Sequence, residues 1–436
     1  MVFTLKPNMK FQDEAPVNGR AVKADDIVAG EIYSRDVANA YDNSFHKLFM
    51  DTVTAPDDRT LVFKLKQPNA YIFGSQMLGL NTNHHVIPKD ILNMDVATTP
   101  PVGSGPWYLA EHQIDARYLS KRYEGWREAS GKKPYIDEHE LIKNIDPVAQ
   151  ESMFRGGQTH VYNPTAANAD ALAKDLSNFA TLYSVAGLAQ TAFWLNMEKD
   201  YPWQKDEPIR KAFWRTMNRQ QIIDLVYRGK AIAPNGLIPA GVSEEYQLST
   251  AETAEYQKFD PKEARQLLEA ASWDFNSEWE ITQRQAALNA QLAEVFQVQA
   301  AEVGIKTRVT QTQFQEWLPN LMGQRRYQIV LEPSPADETP GRPIRFQHST
   351  TNNQNSGFGL HDPAIDALIE KSETTLDHAE NVKLVKQVQL DAMKKYSSSR
   401  MIVTPQYLLL VNSKLQDYEV AALNNIMYRT EAWFDA

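Results

Sequence analysis

The sequence predicts an α/β protein, on three observations. Short apolar or alternating stretches with strand periodicity recur between longer stretches with helical spacing. Three helices announce their starts with Asp-Pro pairs, at Asp146-Pro147, Asp260-Pro261 and Asp362-Pro363. Aspartate can accept from the free N–H groups of a first turn, and proline's fixed φ suits the first helical position. Finally, an apolar strand, Thr191 to Asn196, leads through a polar, aromatic loop into two helices. One starts at Pro208 and the other at Asn218, stopping at Gly229.

Taken in order, residues 2–11 read as a half-buried strand, with Val2 and Thr4 on one side and Phe3 and Leu5 on the other. Asp25 and Asp26 open a helix. A strand pair follows, Leu61, Phe63 and Leu65 lining one face and Asp57-Asp58 sitting in its turn. In PPVGSGPWYLAEH (100–112), Gly103 and Gly105 allow a tight backbone path before a strand from Trp107 to Leu109. The G-S-G-P run matches neither a P-loop nor a dinucleotide fingerprint. The helix capped by Asp146 is closed by Gly156-Gly157, and the one capped by Asp260 has Glu263 spaced for a capping box. Residues 285–303 place Leu288, Leu292, Val295, Phe296 and Val303 on one helical face. IKTRVTQT reads as a strand, and so does Tyr327 to Leu331, which runs into a proline-laden loop, Glu332 to Thr339. The Asp362 helix and another over 379–395 follow.

Composition narrows the function classes. A chain of 436 residues is long enough for two to four domains at roughly 100–200 residues each. A net charge of −10 argues against a nucleic-acid partner, because phosphates want a basic face. No run approaches the roughly 20 apolar residues of a membrane span. With no cysteine, disulfides, thiol nucleophiles and thiolate metal sites are excluded for this sequence. The adjacent His84-His85 would point to opposite faces of a strand, and no HExxH or His-x-His element exists, so no metal and no cofactor are expected. There is no GxSxG elbow, and Glu278 and Glu280 read as a solvated strand face. No constellation points to a reaction class.

Read together, the motifs resemble family 5 extracellular solute-binding proteins, the peptide/nickel/opine class of ABC-importer receptors. Asn196, Arg210, Ala212, Asn218, Arg219, Ile222 and Ile223 fit the family's signature, in which a strand ending in Asn leads to two helices. Lys10, Phe11, Asp13, Asp26 and Val28 fit its early strand and helix; residues 100–112 fit its P-V-G-T-G-P element. Tyr123, Trp126, Lys133, Pro134, Tyr135, Asp137 and Gly157 continue the match, with Gln158 and His160 where the family usually has Glu and Asp. Ser272 replaces a usual glycine, and TPQYLLLVNSKLQDYEV resembles the closing segment.

The resemblance implies a two-lobe, periplasmic-binding-protein type II-like α/β fold with a small extra subdomain in lobe I. The expected division is 1–98 for that subdomain, incomplete at its N terminus; 99–195 with 412–436 for the rest of lobe I; and 196–411 for lobe II. The strand around Trp194 is expected to cross between the lobes. A peptide or other small organic solute would be held between them by hinge closure and delivered to membrane permease subunits. The protein is expected to be a non-enzymatic, extracytoplasmic monomer. A hydrolase or a sensory module on the same scaffold is the alternative. Met1 is followed by VFTLKPNMKF, which lacks the features of a secretory signal; the family pattern is picked up partway through, so the chain is expected to begin inside a longer one.

The resemblance also nominates ligand-contacting residues. Asp337 falls, by offset from the preceding strand, on the aspartate that pairs with a ligand's α-ammonium group in peptide-binding members, with Pro333-Ser334 in place of the usual Gly-Trp. A partly buried carboxylate suits that task, since a charge-assisted hydrogen bond strengthens in a low dielectric. Ser334 shares that loop. Phe193 and Trp194 sit on the crossover strand facing opposite ways, so at most one meets the ligand. Tyr71 and Trp107 are further aromatic candidates. Arg325-Arg326 read as solvated cations at a turn.

Overall fold

The computed structural model describes residues 1–37, 45–74, 85–95, 99, 101–114, 116–129, 131, 133–143, 146–313, 316–317, 324–333, 337–349, 359–396, 399–420 and 430–435. It comprises two compact units, one of Met1–Gln67, Ser75–Ser184 and Leu408–Ala436, the other of Pro68–Gly74 and Val185–Tyr407.

In the first unit, β1 (Val2–Thr4), β2 (Met50–Thr54) and β3 (Thr60–Leu65) form an antiparallel sheet in the order β1-β3-β2. The strand expected over 2–11 ends at Thr4, and the chain then turns at Pro7-Asn8, where Asn8 takes a left-handed φ of 61°. Leu61 and Phe63 are buried as expected, and Asp57 holds the turn by accepting from the N–H groups of Arg59 and Thr60 at 2.8 and 2.9 Å. Helix α1 (Ala24–Asp36) starts on a fully buried Asp26. Its carboxylate accepts from the Lys23 N–H at 3.0 Å and from Arg20 at 2.9 and 2.6 Å, so the charge is neutralised where it is desolvated. Phe11, Val17, Val22 and Val102 form a local apolar cluster.

A second antiparallel sheet follows, β4 (Trp107–Gln113), β5 (Arg117–Arg122) and β6 (Glu138–Ile142), with α2 (Glu124–Ala129) between the last two. Helix α3 (Pro147–Arg155) starts as expected, Asp146 accepting from Val148 and Ala149 N–H at 2.9 and 3.2 Å. Then come β7 (Val161–Tyr162), α4 (Ala169–Asp175) and β8 (Ala180–Ala186).

The second unit is built on β9 (Thr191–Leu195), all five of whose residues are buried. A sequence of Thr-Ala-Phe-Trp-Leu with no charge can only sit where both faces are covered. Three short helices follow: α5 (Pro202–Lys205), within the stretch read as loop, α6 (Glu207–Arg215) and α7 (Arg219–Leu225). Asn218 caps α7 by accepting from the Gln221 N–H at 3.0 Å. The helix ends at Leu225, short of Gly229, whose φ of 79° turns the chain toward β10 (Ala231–Ile232). Next are α8 (Thr250–Gln257), α9 (Pro261–Ala270), β11 (Glu278–Arg284), α10 (Ala287–Glu302), β12 (Lys306–Thr312) and β13 (Ile329–Pro333). The unit closes with α11 (Gly341–Arg345), α12 (Pro363–Thr374), α13 (His378–Lys395) and β14 (Ser399–Asn412).

Its sheet runs β10-β14-β9-β13-β11-β12. β11 is parallel to β12 and β13, while β9 is antiparallel to both of its neighbours, β13 and β14. The chain passes from the first unit to the second between Ser184 and Val185, and both edges of β9 are paired within the second unit. The return lies between Tyr407 and Leu408, so the tail of β14 pairs Leu410 with Tyr162 and Val411 with Val161 of β7. There Leu410 joins the cluster of Phe154, Tyr162, Leu172 and Ala180.

Phe193 points to the helical side of the sheet. Its ring lies 5.6 Å from Phe213 of α6 and 4.8 Å from Phe296 of α10. Each such pair contributes about 0.5–1.5 kcal/mol beyond its buried area. Leu292, Phe296 and Val303 are buried as the helical spacing required, whereas Leu288 is exposed. Glu263 makes no capping box; its carboxylate pairs instead with the buried Arg215 at 2.9 Å.

Asn196, at the end of β9, is fully buried and fully used. Its Nδ2 donates to the carbonyls of Arg325 and Tyr327 at 2.9 and 2.8 Å, and its Oδ1 accepts from Glu198 and Lys199 N–H at 3.0 and 3.2 Å. One side chain thus ties the exit of β9 to the entry of β13. Asn196→Ala would leave these backbone groups without partners, and we expect a loss of about 3 kcal/mol, read as a lower urea midpoint at unchanged slope. Ser272, standing where a glycine is usual, holds a left-handed φ of 53° and is exposed. Ser272→Gly should therefore stabilise the protein by about 1 kcal/mol in the same titration.

Candidate ligand-binding site

Asp337 emerges shortly after β13, which β9 and β11 hold in register on both sides. It is 1% exposed. Its N–H reaches the Leu188 carbonyl at 3.4 Å, and its Oδ1 accepts from both the N–H and the hydroxyl of Thr339 at 2.8 Å. The Asp-x-Thr spacing makes this side chain-to-backbone turn, which hands the chain to α11. Burial pushes the Asp337 carboxyl up to about 6, against the opposing pull of the two Thr339 bonds; Glu338 raises it further and Arg342 draws it down. Its carboxylate therefore exists at neutral pH at a cost in free energy, and a cationic ligand would offset that cost with a charge-assisted hydrogen bond.

Two other candidates lie in the same unit. Trp194, 1% exposed, faces away from Phe193 and packs 5.5 Å from Phe346, the residue that follows α11. Tyr71, in the short segment Pro68–Gly74, is 5% exposed; its hydroxyl meets Asn381 of α13, which donates to it at 3.1 Å. Burial pushes that hydroxyl up to about 12. Phe193 is sealed in the helix-side core. Ser334 lies outside the described residues.

Trp107 belongs to the first unit. Its indole N–H donates to the Ile136 carbonyl at 3.4 Å, and it lines a cavity of about 500 Å³ with Leu119, His139, His160, Tyr162 and Phe434. Burial lowers the pKa of both histidines there.

The sequence reading missed Thr339, although Asp-x-Thr is a legible turn signal. It also missed the buried Arg345–Glu373 pair at 2.9 Å beside α11. Burial pushes Glu373 up to about 7, with Arg345 opposing. Arg325 is no solvated cation: it forms an ion pair with Glu198 and is mostly covered. Among the described residues, no group of three or more histidine, aspartate or glutamate side chains could hold a metal ion, and no helix is long and apolar enough to cross a membrane.

The profile of the bacterial extracellular solute-binding proteins, family 5 (middle), matches residues 1–357. This chain belongs to that family. It is 25% identical over 425 residues to the dipeptide-binding protein of Escherichia coli K12, covering 89% of this chain and 75% of that protein. It is 28% identical over 297 residues to di/tripeptide-binding protein 1 of Pseudomonas aeruginosa, covering 66% of this chain and about half (53%) of the relative. Among solved structures, the ABC transporter-associated periplasmic binding protein DppA of Helicobacter pylori, in complex with the peptide STSA, superposes with a TM-score of 0.83. The identity is 18%, and all of this chain is covered against 86% of that one. The fold is therefore the two-lobe α/β fold implied by the sequence motifs.

The state of Asp337 sets a pH signature. Its carboxyl is raised in the folded chain to about 6, against an unfolded value near 3.9. The penalty of ionising it is absent below about pH 4 and complete above about pH 6. Asp337→Asn keeps an oxygen for Thr339 and removes the charge. It should stabilise the ligand-free protein by up to about 3 kcal/mol at pH 7, with the gain fading at pH 4, as read by urea denaturation at the two pH values.

Proposed function

We propose that this chain is the solute receptor of an ABC importer, and that it captures a peptide through its N-terminal ammonium group and delivers it to permease subunits in the membrane. The observation that carries this reading is Asp337, a carboxylate 1% exposed and held by a Thr339 turn. Burial makes its charged form costly, and a ligand cation would offset that cost. Trp194 and Phe346, packed 5.5 Å apart on the face opposite Phe193, are the aromatic groups proposed to flank the ligand. The names of the Escherichia coli and Pseudomonas aeruginosa relatives, both peptide-binding, support the ligand class.

The receptor acts outside the cytoplasm, in the periplasm or its equivalent, as a monomer, and turns nothing over: its chemistry is reversible ion pairing. Its first unit is further read as two subdomains, a small one over about 1–98 and the remainder. Its two separate three-stranded sheets and two separate apolar clusters support that division.

The test is calorimetry and thermal melting of the chain with Ala-Leu and with Ser-Thr-Ser-Ala, each as the free and the N-acetylated peptide. A free peptide should raise the melting temperature, since ligand binding to the native state alone adds stability. N-acetylation or Asp337→Asn should each cost about 100-fold in affinity, as expected for one buried charge-assisted bond. Equal binding of free and acetylated peptides would remove Asp337 from this role.

A further inference from the structure

Residues Pro68–Gly74 lie within the second unit although the chain on either side of them belongs to the first. This short strap is anchored at several points. The Ala70 N–H donates to the Glu373 carbonyl at 2.6 Å, at the end of α12. Asn69 Oδ1 accepts from the Tyr71 N–H at 2.8 Å and fixes the turn. Asn381 of α13 donates from one Nδ2 to the Tyr71 hydroxyl at 3.1 Å and to the Ser372 carbonyl at 2.7 Å.

What the strap presses on is the Asp337 turn. The Tyr71 ring lies so close to Gly341 that a Cβ there would stand 2.6 Å from Cδ2 and 2.9 Å from Cγ. Only glycine fits the first residue of α11 against this ring. A Cβ on Gly74 would likewise meet Thr339, 2.8 Å from its Cγ2 and 3.0 Å from its Oγ1. Thr339 is the residue whose N–H and hydroxyl both hold Asp337. A continuous line of contact therefore runs from α13 through Asn381, Tyr71 and Gly341, and through Gly74 and Thr339, to the carboxylate. Close packing of this kind transmits a displacement instead of absorbing it.

We propose that the strap Pro68–Gly74, through the Tyr71 ring on Gly341 and the close approach of Gly74 to Thr339, sets the position of Asp337 for ligand capture. Tyr71 is thereby a positioning residue with its ring spent on Gly341, and not a wall of the ligand pocket. The binding part of this proposal rests on the peptide reading above; the structural part does not. Among the described residues, the charged groups that act on Asp337 are Glu338 and Arg342, and neither lies on the strap.

The test is a double-mutant cycle between Tyr71→Ala and Asp337→Asn on the full chain, read in two ways. Calorimetry uses Ala-Leu and Ser-Thr-Ser-Ala as probes, and carbon-13 NMR follows the Asp337 carboxyl through its titration. Tyr71→Ala should weaken binding about tenfold in the parent and not at all in Asp337→Asn, because coupled residues are not additive. It should also move the carboxyl midpoint down from about 6 as water gains access. Tyr71→Phe, which keeps the ring on Gly341, should restore parent affinity and midpoint. If Tyr71→Ala does not fold, Gly74→Val crowds Thr339 directly and should behave the same way. An equal loss in both backgrounds, or an unmoved carboxyl midpoint, overturns the proposal. If neither peptide binds any variant, the peptide reading falls, and the midpoint alone decides the role of the strap.

Discussion

The second unit is organised by one constraint: β9 must be buried on every side. Its five residues carry no charge and no exposed face, so the sheet has to supply a partner for each edge and a layer for each surface. β13 and β14 take the edges, Phe213 and Phe296 cover Phe193, and Phe346 packs beside Trp194. Asn196 then converts burial into register, because its four hydrogen bonds allow one placement of β13 relative to the end of β9. Asp337, following β13 by a few residues, inherits its location from that arrangement.

The carboxylate so placed is held at a cost. A buried acid without a full ion pair disfavours its charged form, and the fold retains it by giving it two short bonds from Thr339 instead of an arginine. Asp26 shows the opposite solution, since it is equally buried but met by two guanidinium nitrogens. Asp26 is a structural fixture, complete as it stands. Among the described residues, Asp337 is met by Thr339 alone through hydrogen bonds to its side chain, and that difference makes it, unlike Asp26, the acid proposed to receive a ligand's cation.

What the sequence revealed was local. Asp146, Asp260 and Asp362 all cap the helices their Asp-Pro pairs announced, because a cap bonds only two or three residues ahead. The strand character of β9, β12 and β13 followed from apolar runs and alternation. Asp337 was nominated through the family resemblance, by its offset from β13, and its ligand role remains a proposal. The misses are long-range. The motifs place a lobe crossing at the end of β9, and no local pattern shows that both edges of this strand pair with strands grouped in the second unit. Glu263 was spaced for its own helix end but found Arg215, on another helix. The strap was invisible because its fate depends on Gly341 and Asn381, far along the chain, and no local pattern encodes that meeting.

The discontinuity of both units has a consequence for biosynthesis. The second unit needs Pro68–Gly74, made before most of the first, and the first needs Leu408–Asn412, made after all of the second, to pair with β7. Neither body can close its core while the ribosome is still translating residues 185–407. Vectorial, one-body-at-a-time folding is thus denied to this polypeptide: the first unit stays open until every residue of the second has been made.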